Sequence, residues 1–411
     1  MDFSSPALDW RTKGLPPRAE GMTGDEIGAL GLNVLVGDLM MPAAVIREAA
    51  LNHNIAAMQA FADRIDAKLC PHGKTSMSPE LFAMQFAAGI WGLTAATAHH
   101  VRVYRRLGVQ RIFMASQLVA PADVDFVLGE LAADPDFDFY CLVDSPEVAS
   151  LLAARNTGRP VQVLIETGNA GGRSGLRDVD AAVALALHIA ALPQLALRGV
   201  ETFEGIHDVR PDAGGMIDLA VDAAHAIAEA GLFVPGPLLL SAGGSAFLDL
   251  CAAKLPERIG DHVVAKIIRP GCYVTHDNGT YEQKTKPDGV PLPGLPDLRH
   301  ALEVWAVVLS VPEPGHAIVG AGKRDLGSDV GLPLALWHHR SGAAAPQRAE
   351  AMDVLHLWDQ HLALAHAPGA LSVGDMIGFG ISHPCSTFDR WTAMQLVDES
   401  YRVTGAITTL F

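Results

Sequence analysis

From about residue 35 to 275 short apolar runs alternate with helix-like segments, and no other feature constrains the fold of this chain as much. The runs occupy 68–70, 91–94, 111–114, 137–143, 161–166, 196–200, 238–240 and 266–268, eight in all. Between them lie segments such as 179–191 and 216–231, with Ala and Leu at helical spacing. Ser78-Pro79-Glu80 and Ser145-Pro146-Glu147 each read as a helix start: an N-cap serine, a proline at the first helical position and an acidic first turn. Eight β-then-α units predict an α/β fold, a (β/α)8 TIM-like barrel over 35–277, rather than an open doubly wound sheet.

After Asp277 the rhythm changes. Residues 278–297 are rich in Gly, Pro and Lys and read as a linker or long loop; beyond them 302–311, 317–320, 375–381 and 401–410 are β-type runs. The expectation is a mostly β C-terminal domain over 278–411, with residues 1–34 as an N-terminal extension packed against it. A chain of 411 residues is long enough for a large barrel plus a smaller domain. With 49% hydrophobic and 18% charged residues it is globular. The formal charge of −16 argues against nucleic acid or an anionic membrane as partner. Apolar runs are interrupted before they reach spanning length, and the polar stretch 1–20 has no signal-peptide core, so a cytoplasmic location is expected. Five scattered cysteines, Cys70, Cys141, Cys251, Cys272 and Cys385, suggest buried thiols and no disulfide framework.

Chemistry enters with Pro71-His72-Gly73-Lys74-Thr75, which follows the first apolar run and precedes a helix start. Lys74 is thereby held at the C-terminal mouth of a strand, where such barrels gather their catalytic groups. An amine there can form a Schiff base with a carbonyl cofactor such as pyridoxal 5'-phosphate (PLP). Glycine-containing loops close four other strands: Gly168 to Gly175, Glu204-Gly205-Ile206-His207, Ser241-Ala242-Gly243-Gly244-Ser245 and Arg269-Pro270-Gly271-Cys272-Tyr273. Their backbone N–H groups can cradle a phosphate without net positive charge. Gly243, Gly244 and Ser245 are the foremost candidates, with Gly271, Cys272 and Tyr273 beside them. His383-Pro384-Cys385 follows another β-type run; in an extended segment its imidazole and thiol would project to one face and suit Zn²⁺. Taken singly, each signal has an ordinary explanation: an exposed lysine, turn glycines, a buried His and Cys. Their combination is what points to a cofactor site.

Together these features resemble the D-serine dehydratase and D-threonine aldolase family of fold-type III PLP enzymes, whose barrel is shared with alanine racemase. The resemblance runs from about residue 35 to the end. Pro71-His72-Gly73-Lys74-Thr75 is similar to the family's cofactor-lysine motif, and Gly172-Arg173-Ser174-Gly175 to its arginine loop near the PLP phenolic oxygen. Arg269-Pro270-Gly271 is similar to the segment that faces the pyridine nitrogen in the racemase branch, and His383-x-Cys385 to the metal pair of the dehydratase branch. Aldolases usually carry Asp where Cys385 stands, which favours a dehydratase.

The resemblance implies PLP on Lys74 and a divalent metal on His383 and Cys385, with Zn²⁺ foremost and Mn²⁺ or Mg²⁺ as alternatives. It also implies a homodimer, and β-elimination from a D-3-hydroxy amino acid such as D-serine, D-threonine or D-threo-3-hydroxyaspartate to a 2-oxo acid and ammonia. Retro-aldol cleavage to glycine and an aldehyde is the nearest alternative, and a non-catalytic PLP carrier the second. Racemisation is disfavoured, because the racemase-type catalytic tyrosine has no evident counterpart in the C-terminal part.

Overall fold

The computed structural model describes residues 1–411, the Asp288 side chain excepted. Strand β1 (Ala43–Arg47) precedes the barrel. The barrel strands are β2 (Ala67–Leu69), β3 (Leu93–Ala95), β4 (Arg111–Gln117), β5 (Asp138–Val143), β6 (Val161–Thr167), β7 (Leu195–Thr202) and β8 (Leu238–Ser241). After the two-residue β9 (Arg258–Ile259), which pairs back on it, β10 (His262–Ile268) completes the set. These eight parallel strands run in the order β2-β10-β8-β7-β6-β5-β4-β3, and all eight sequence runs are among them. Bonds from Trp91 N–H to the Leu69 carbonyl and from Thr94 N–H to the Pro71 carbonyl, each 2.8 Å, close β3 onto β2. The barrel interior is filled by Cys70, Phe113, Tyr140, Leu142, Leu164, Leu239 and Ile267, so it is a packed core rather than a pore. Ser78 and Ser145 cap their helices through bonds from Leu81 N–H and Val148 N–H.

The C-terminal strands are β11 (Leu302–Glu313), β12 (His316–Val319), β13 (Leu334–His339), β14 (Gln347–Arg348), β15 (Asp353–Leu357), β16 (Leu362–Ala365), β17 (Met376–Gly380), β18 (Ala393–Val397) and β19 (Val403–Thr408). Their principal order is β14-β13-β17-β11-β1-β18-β19, with β12, β15 and β16 forming an attached flap. Strand β1 therefore belongs to the second sheet, antiparallel to β11 and parallel to β18, although its position in the chain groups it with the barrel. The barrel proper begins at the helix Glu48–Arg64. Leu8, Leu15, Ile27 and Val34 from the first 34 residues share one apolar cluster with Trp305, Val397, Tyr401 and Val403 of the second sheet. Among the described residues no helix is long and apolar enough to cross a membrane.

Candidate active site

A cavity of about 320 Å³ opens at the C-terminal ends of the barrel strands, and the segment that follows β17 folds over it from the second domain. Lys74, Arg173, Gly244, Ser245, Arg269, Gly271, Cys272, His383 and Cys385 all line it, so residues more than 300 positions apart in sequence share one space. Two expected residues do not line it. Tyr273 is 1% exposed and turned into the core, where its hydroxyl accepts a bond from Gln85 Nε2 at 2.8 Å. Gly243, with φ +90°, turns the chain beneath the floor.

The amides of Gly243 and Gly244, expected to hold a phosphate, are already used: both donate to the buried carboxylate of Glu204, at 3.0 and 3.1 Å. An internal anion occupies that turn. Burial raises the Glu204 carboxyl above its ordinary range, with these amides opposing. At the end of β10, Gly271 N–H and Cys272 N–H both donate to Ser245 Oγ, at 3.3 and 3.2 Å, a neutral hydroxyl rather than an internal anion. Two amides and a hydroxyl in this arrangement suit a phosphate oxygen. A Cβ on Gly271 would collide with Thr75 Oγ1 and stand 3.1 Å from the His72 carbonyl, so only glycine lets this turn pass against the Lys74 loop.

Arg269 is 2% exposed, and its guanidinium is bound to Ser241 Oγ at 2.8 Å, to the Thr202 carbonyl at 3.2 Å and to Glu201 Oε1. The other oxygen, Glu201 Oε2, is buried without a partner. Burial pushes the Glu201 carboxyl up to about 7, with Arg269 acting in the opposite direction. Register places Glu166 of β6 directly beside Glu201 of β7, and both carboxylates reach the cavity. Glu166 accepts from Gln117 Nε2 and, at 2.9 Å, from Ser174 Oγ, which ties the arginine loop to the barrel. Arg173 lies 4.8 Å over the Phe203 ring. His72 is held neutral, first by burial and then by the charges of Arg269 and Lys74; its Nδ1 is buried without a partner.

Also lining the cavity, the ligand atoms of Cys272, His383 and Cys385 all lie within 4.8 Å of one another. The segment is not extended: Pro384 has φ −60° and ψ −48° and starts the short helix Cys385–Phe388. Proline's fixed φ is as suitable for a first helical turn as for a strand, and the turn brings His383 and Cys385 together all the same. Asp329 Oδ2 lies 2.8 Å from His383 Nδ1, leaving Nε2 for another partner, and Ser386 Oγ donates to Asp329 Oδ1 at 2.5 Å. Cys385 Sγ is 3.6 Å from Cys272 Sγ and 3.5 Å from Thr75 Oγ1, the residue after Lys74. The hydrogen bond from Cys272, aided by His383, pulls the Cys385 thiol well below its ordinary value, while the same bond and burial push Cys272 up. Its bond to Cys385, with Asp329 adding and burial opposing, moves the His383 imidazole up to about 9. Tyr281 completes this wall, and Asp277 fixes its helix by accepting from Gly279 N–H at 2.9 Å and Tyr281 N–H at 3.1 Å.

A second group of ligand-type side chains, His276, Glu282 and His300, closes on itself. Burial disfavours the Glu282 charge, but the bonds with His276 and His300 and the Lys286 ammonium at 3.5 Å outweigh it and hold the carboxyl far below its usual range. The Glu282 charge is thus already compensated by groups of the chain itself.

Sequence reasoning missed Glu166, Glu201, Glu204, Tyr281 and Asp329. The first two carried a readable signal, an acid at the end of an apolar run. Asp329 lies 54 residues from His383 with no local pattern to mark it.

Residues 46–278 match the family described as "Alanine racemase, N-terminal domain", and residues 301–397 match the "Putative serine dehydratase domain". A D-threonine aldolase of Arthrobacter sp. is 27% identical over 78% of this chain and 78% of its own length. D-threo-3-hydroxyaspartate dehydratase of Delftia sp. (strain HT23) is 29% identical over 86% of this chain and 93% of its own. Among solved structures, D-threonine aldolase from Filomicrobium marinum superposes with a TM-score of 0.77 at 22% identity, covering 92% of this chain and 97% of its own, a likeness of fold. A metal-free form of a mutant D-threo-3-hydroxyaspartate dehydratase superposes with a TM-score of 0.71 at 25% identity, over 92% and 99%.

Proposed function

The chain belongs to the alanine racemase N-terminal domain family, and on that premise we propose that it is a PLP- and divalent-metal-dependent lyase that removes the β-hydroxyl of a D-3-hydroxy amino acid. One observation carries the reading: Lys74 and the donor set of His383 and Cys385 line the same cavity. An amine and a nitrogen–sulfur donor pair facing one small space suit an amino acid held at its Cα on one side and at its β-hydroxyl on the other. When bound, PLP supplies an electron sink for Cα and the metal a Lewis acid for the leaving hydroxyl.

The residues of the chain do the rest. Lys74 anchors the cofactor and, once its amine is released, takes the α-proton at Nζ. Ser245 with the amides of Gly271 and Cys272 holds the phosphate. Arg269 would face the ring nitrogen, and its ion pair with Glu201 keeps either from being buried uncompensated. Asp329 orients His383 so that Nε2 is free to bind metal. Tyr281, with His383 and Cys385, lines the cavity and takes up space that water would otherwise fill near the reacting atoms. Loss of hydroxide after proton removal leaves an enamine whose hydrolysis gives one 2-oxo acid and one ammonia. A cytoplasmic homodimer is part of the same reading.

The second reading is retro-aldol cleavage, in which the β-hydroxyl loses its proton and the Cα–Cβ bond breaks. The likeness to D-threonine aldolase favours it, while a thiol at position 385 favours elimination. The test is to incubate the purified protein with D-serine, D-threonine and D-threo-3-hydroxyaspartate and assay 2-oxo acid, ammonia, glycine and aldehyde together. Equal yields of 2-oxo acid and ammonia, with L isomers inert, are expected; glycine and aldehyde as main products would replace elimination by aldol cleavage.

A further inference from the structure

We propose that Cys272 is a third protein ligand of the metal, so that the site is a Cys2His set with one open position rather than a His383–Cys385 pair. The inference rests on the reading of His383 and Cys385 as metal-binding and adds to it a residue from the other domain. Cys272 begins the turn Cys272–Val274 at the end of β10, in the barrel, whereas His383 and Cys385 follow β17 of the second sheet. Their sulfur atoms nevertheless stand 3.6 Å apart. Two thiolates on one tetrahedral Zn²⁺, each with a bond of about 2.3 Å, stand about 3.8 Å apart. A disulfide would need about 2.05 Å. The observed separation therefore fits two ligands of one ion, and all three donor atoms fall within 4.8 Å of one another.

The surroundings agree with that assignment. Cys272 is buried and lines the cavity together with His383 and Cys385, and among the described residues no lysine or arginine is bonded to these three donors, whereas Lys286 stands 3.5 Å from Glu282 in the other cluster. With three protein ligands, the fourth position faces the cavity, the arrangement of a catalytic rather than a structural zinc site. Two thiolates also make the donor set softer than one. Zn²⁺ should be preferred strongly over Mn²⁺ and Mg²⁺, which favour oxygen ligands.

Cys272 has a second attachment, since its backbone N–H points at Ser245 Oγ in the phosphate cradle. One residue then gives its side chain to the metal and its main chain to the cradle.

The test is zinc-edge X-ray absorption on the zinc-loaded full chain, which counts sulfur neighbours without any substitution. Two sulfurs at about 2.3 Å are expected. The same measurement on Cys272→Ser should find one, and zinc affinity, measured by competition with a chromophoric chelator, should fall by more than the roughly 10–100-fold that loss of a supporting group costs. One sulfur in the unsubstituted protein overturns the third ligand while leaving His383 and Cys385 in place. No bound zinc, or an unchanged sulfur count and affinity in Cys385→Ser, overturns the underlying metal reading instead. If Cys272→Ser fails to fold, the count on the unsubstituted protein decides alone.

Discussion

Lys74 and Arg269 stand just beyond adjacent parallel strands, β2 and β10, whereas His383, Cys385 and Asp329 come from two loops of the C-terminal sheet. The two halves of the site are built by different physics. Ladder hydrogen bonds fix the strand ends, so Lys266, Ile267 and Ile268 of β10 face Ala67, Lys68 and Leu69 of β2 in strict register, and the loops that follow inherit that position. The metal-side loops have no ladder and are held by side-chain bonds, chiefly Asp329 to His383 and Ser386, and Ser382 Oγ to the Gly331 carbonyl at 2.7 Å. Residues contributed by strand ends are positioned by the whole fold. Those on loops depend on a few neighbours, and single substitutions should separate the two.

The largest effect is expected at the strand-end half. Lys74→Ala should abolish the borohydride-reducible attachment of PLP and lower turnover by at least the roughly 10²–10⁴-fold that a positioned proton-transfer group contributes. Zinc content should stay unchanged, because no bond in the metal wall passes through the Lys74 side chain. Peptide mapping of label onto another lysine would remove Lys74 from its role.

A smaller effect belongs to the loop half. Asp329→Asn removes the charge from His383 Nδ1 but keeps an acceptor, and zinc affinity should fall by roughly 10–100-fold with PLP binding intact. A chelator competition reads this directly; an affinity equal to that of the unsubstituted protein would mean that the loop is held without Asp329.

The smallest lies behind Lys74, where Ala96 N–H donates to His100 Nδ1 at 3.2 Å. Burial first, and then the charges of His99 and Lys74, hold His100 down at about 4. A folded value below the ordinary 6.5 means that the unfolded chain binds the extra proton. This term favours folding above about pH 6.5 and is lost as pH falls toward 4. His100→Gln should therefore lose less thermal stability than the parent between pH 6.5 and 4, and parallel melting curves over that range would contradict the assignment.

The same contrast explains how much the sequence disclosed. Every barrel strand was legible, because parallel strands buried over most of their length read as short runs dominated by apolar residues. Lys74, Ser245 and Gly271 are marked by their places at strand ends, and Arg173 and Arg269 by the family resemblance. In the second sheet β11, β12, β17 and β19 were legible, but β13 to β16 and β18 were not: β13 and β15 are half exposed with mixed residues that dilute the alternation, and β14, β16 and β18 are only two to five residues long. Strand β1 is not among the runs read from the sequence; it lies within the stretch assigned to the barrel yet joins the other sheet, since position in the chain carries no information about partners. Glu204 takes the amides of Gly243 and Gly244, which the sequence offers to a phosphate. A glycine-rich turn advertises free amides, but whether a neighbouring carboxylate has already taken them is a matter of tertiary contact. Cys272 was readable as part of the phosphate turn, while its side chain's proximity to Cys385 depends on how the two domains meet.

The central claim is that one cavity holds two separable groups, PLP on the barrel side and a metal on the C-terminal side. It is tested most directly by stripping the metal from the PLP-loaded protein with a chelator, then following the visible absorbance of bound PLP and the release of 2-oxo acid from D-threo-3-hydroxyaspartate in the same sample. The absorbance should persist while 2-oxo acid release stops, and added Zn²⁺ should restore release. Full release from protein shown by elemental analysis to be metal-free would contradict the claim.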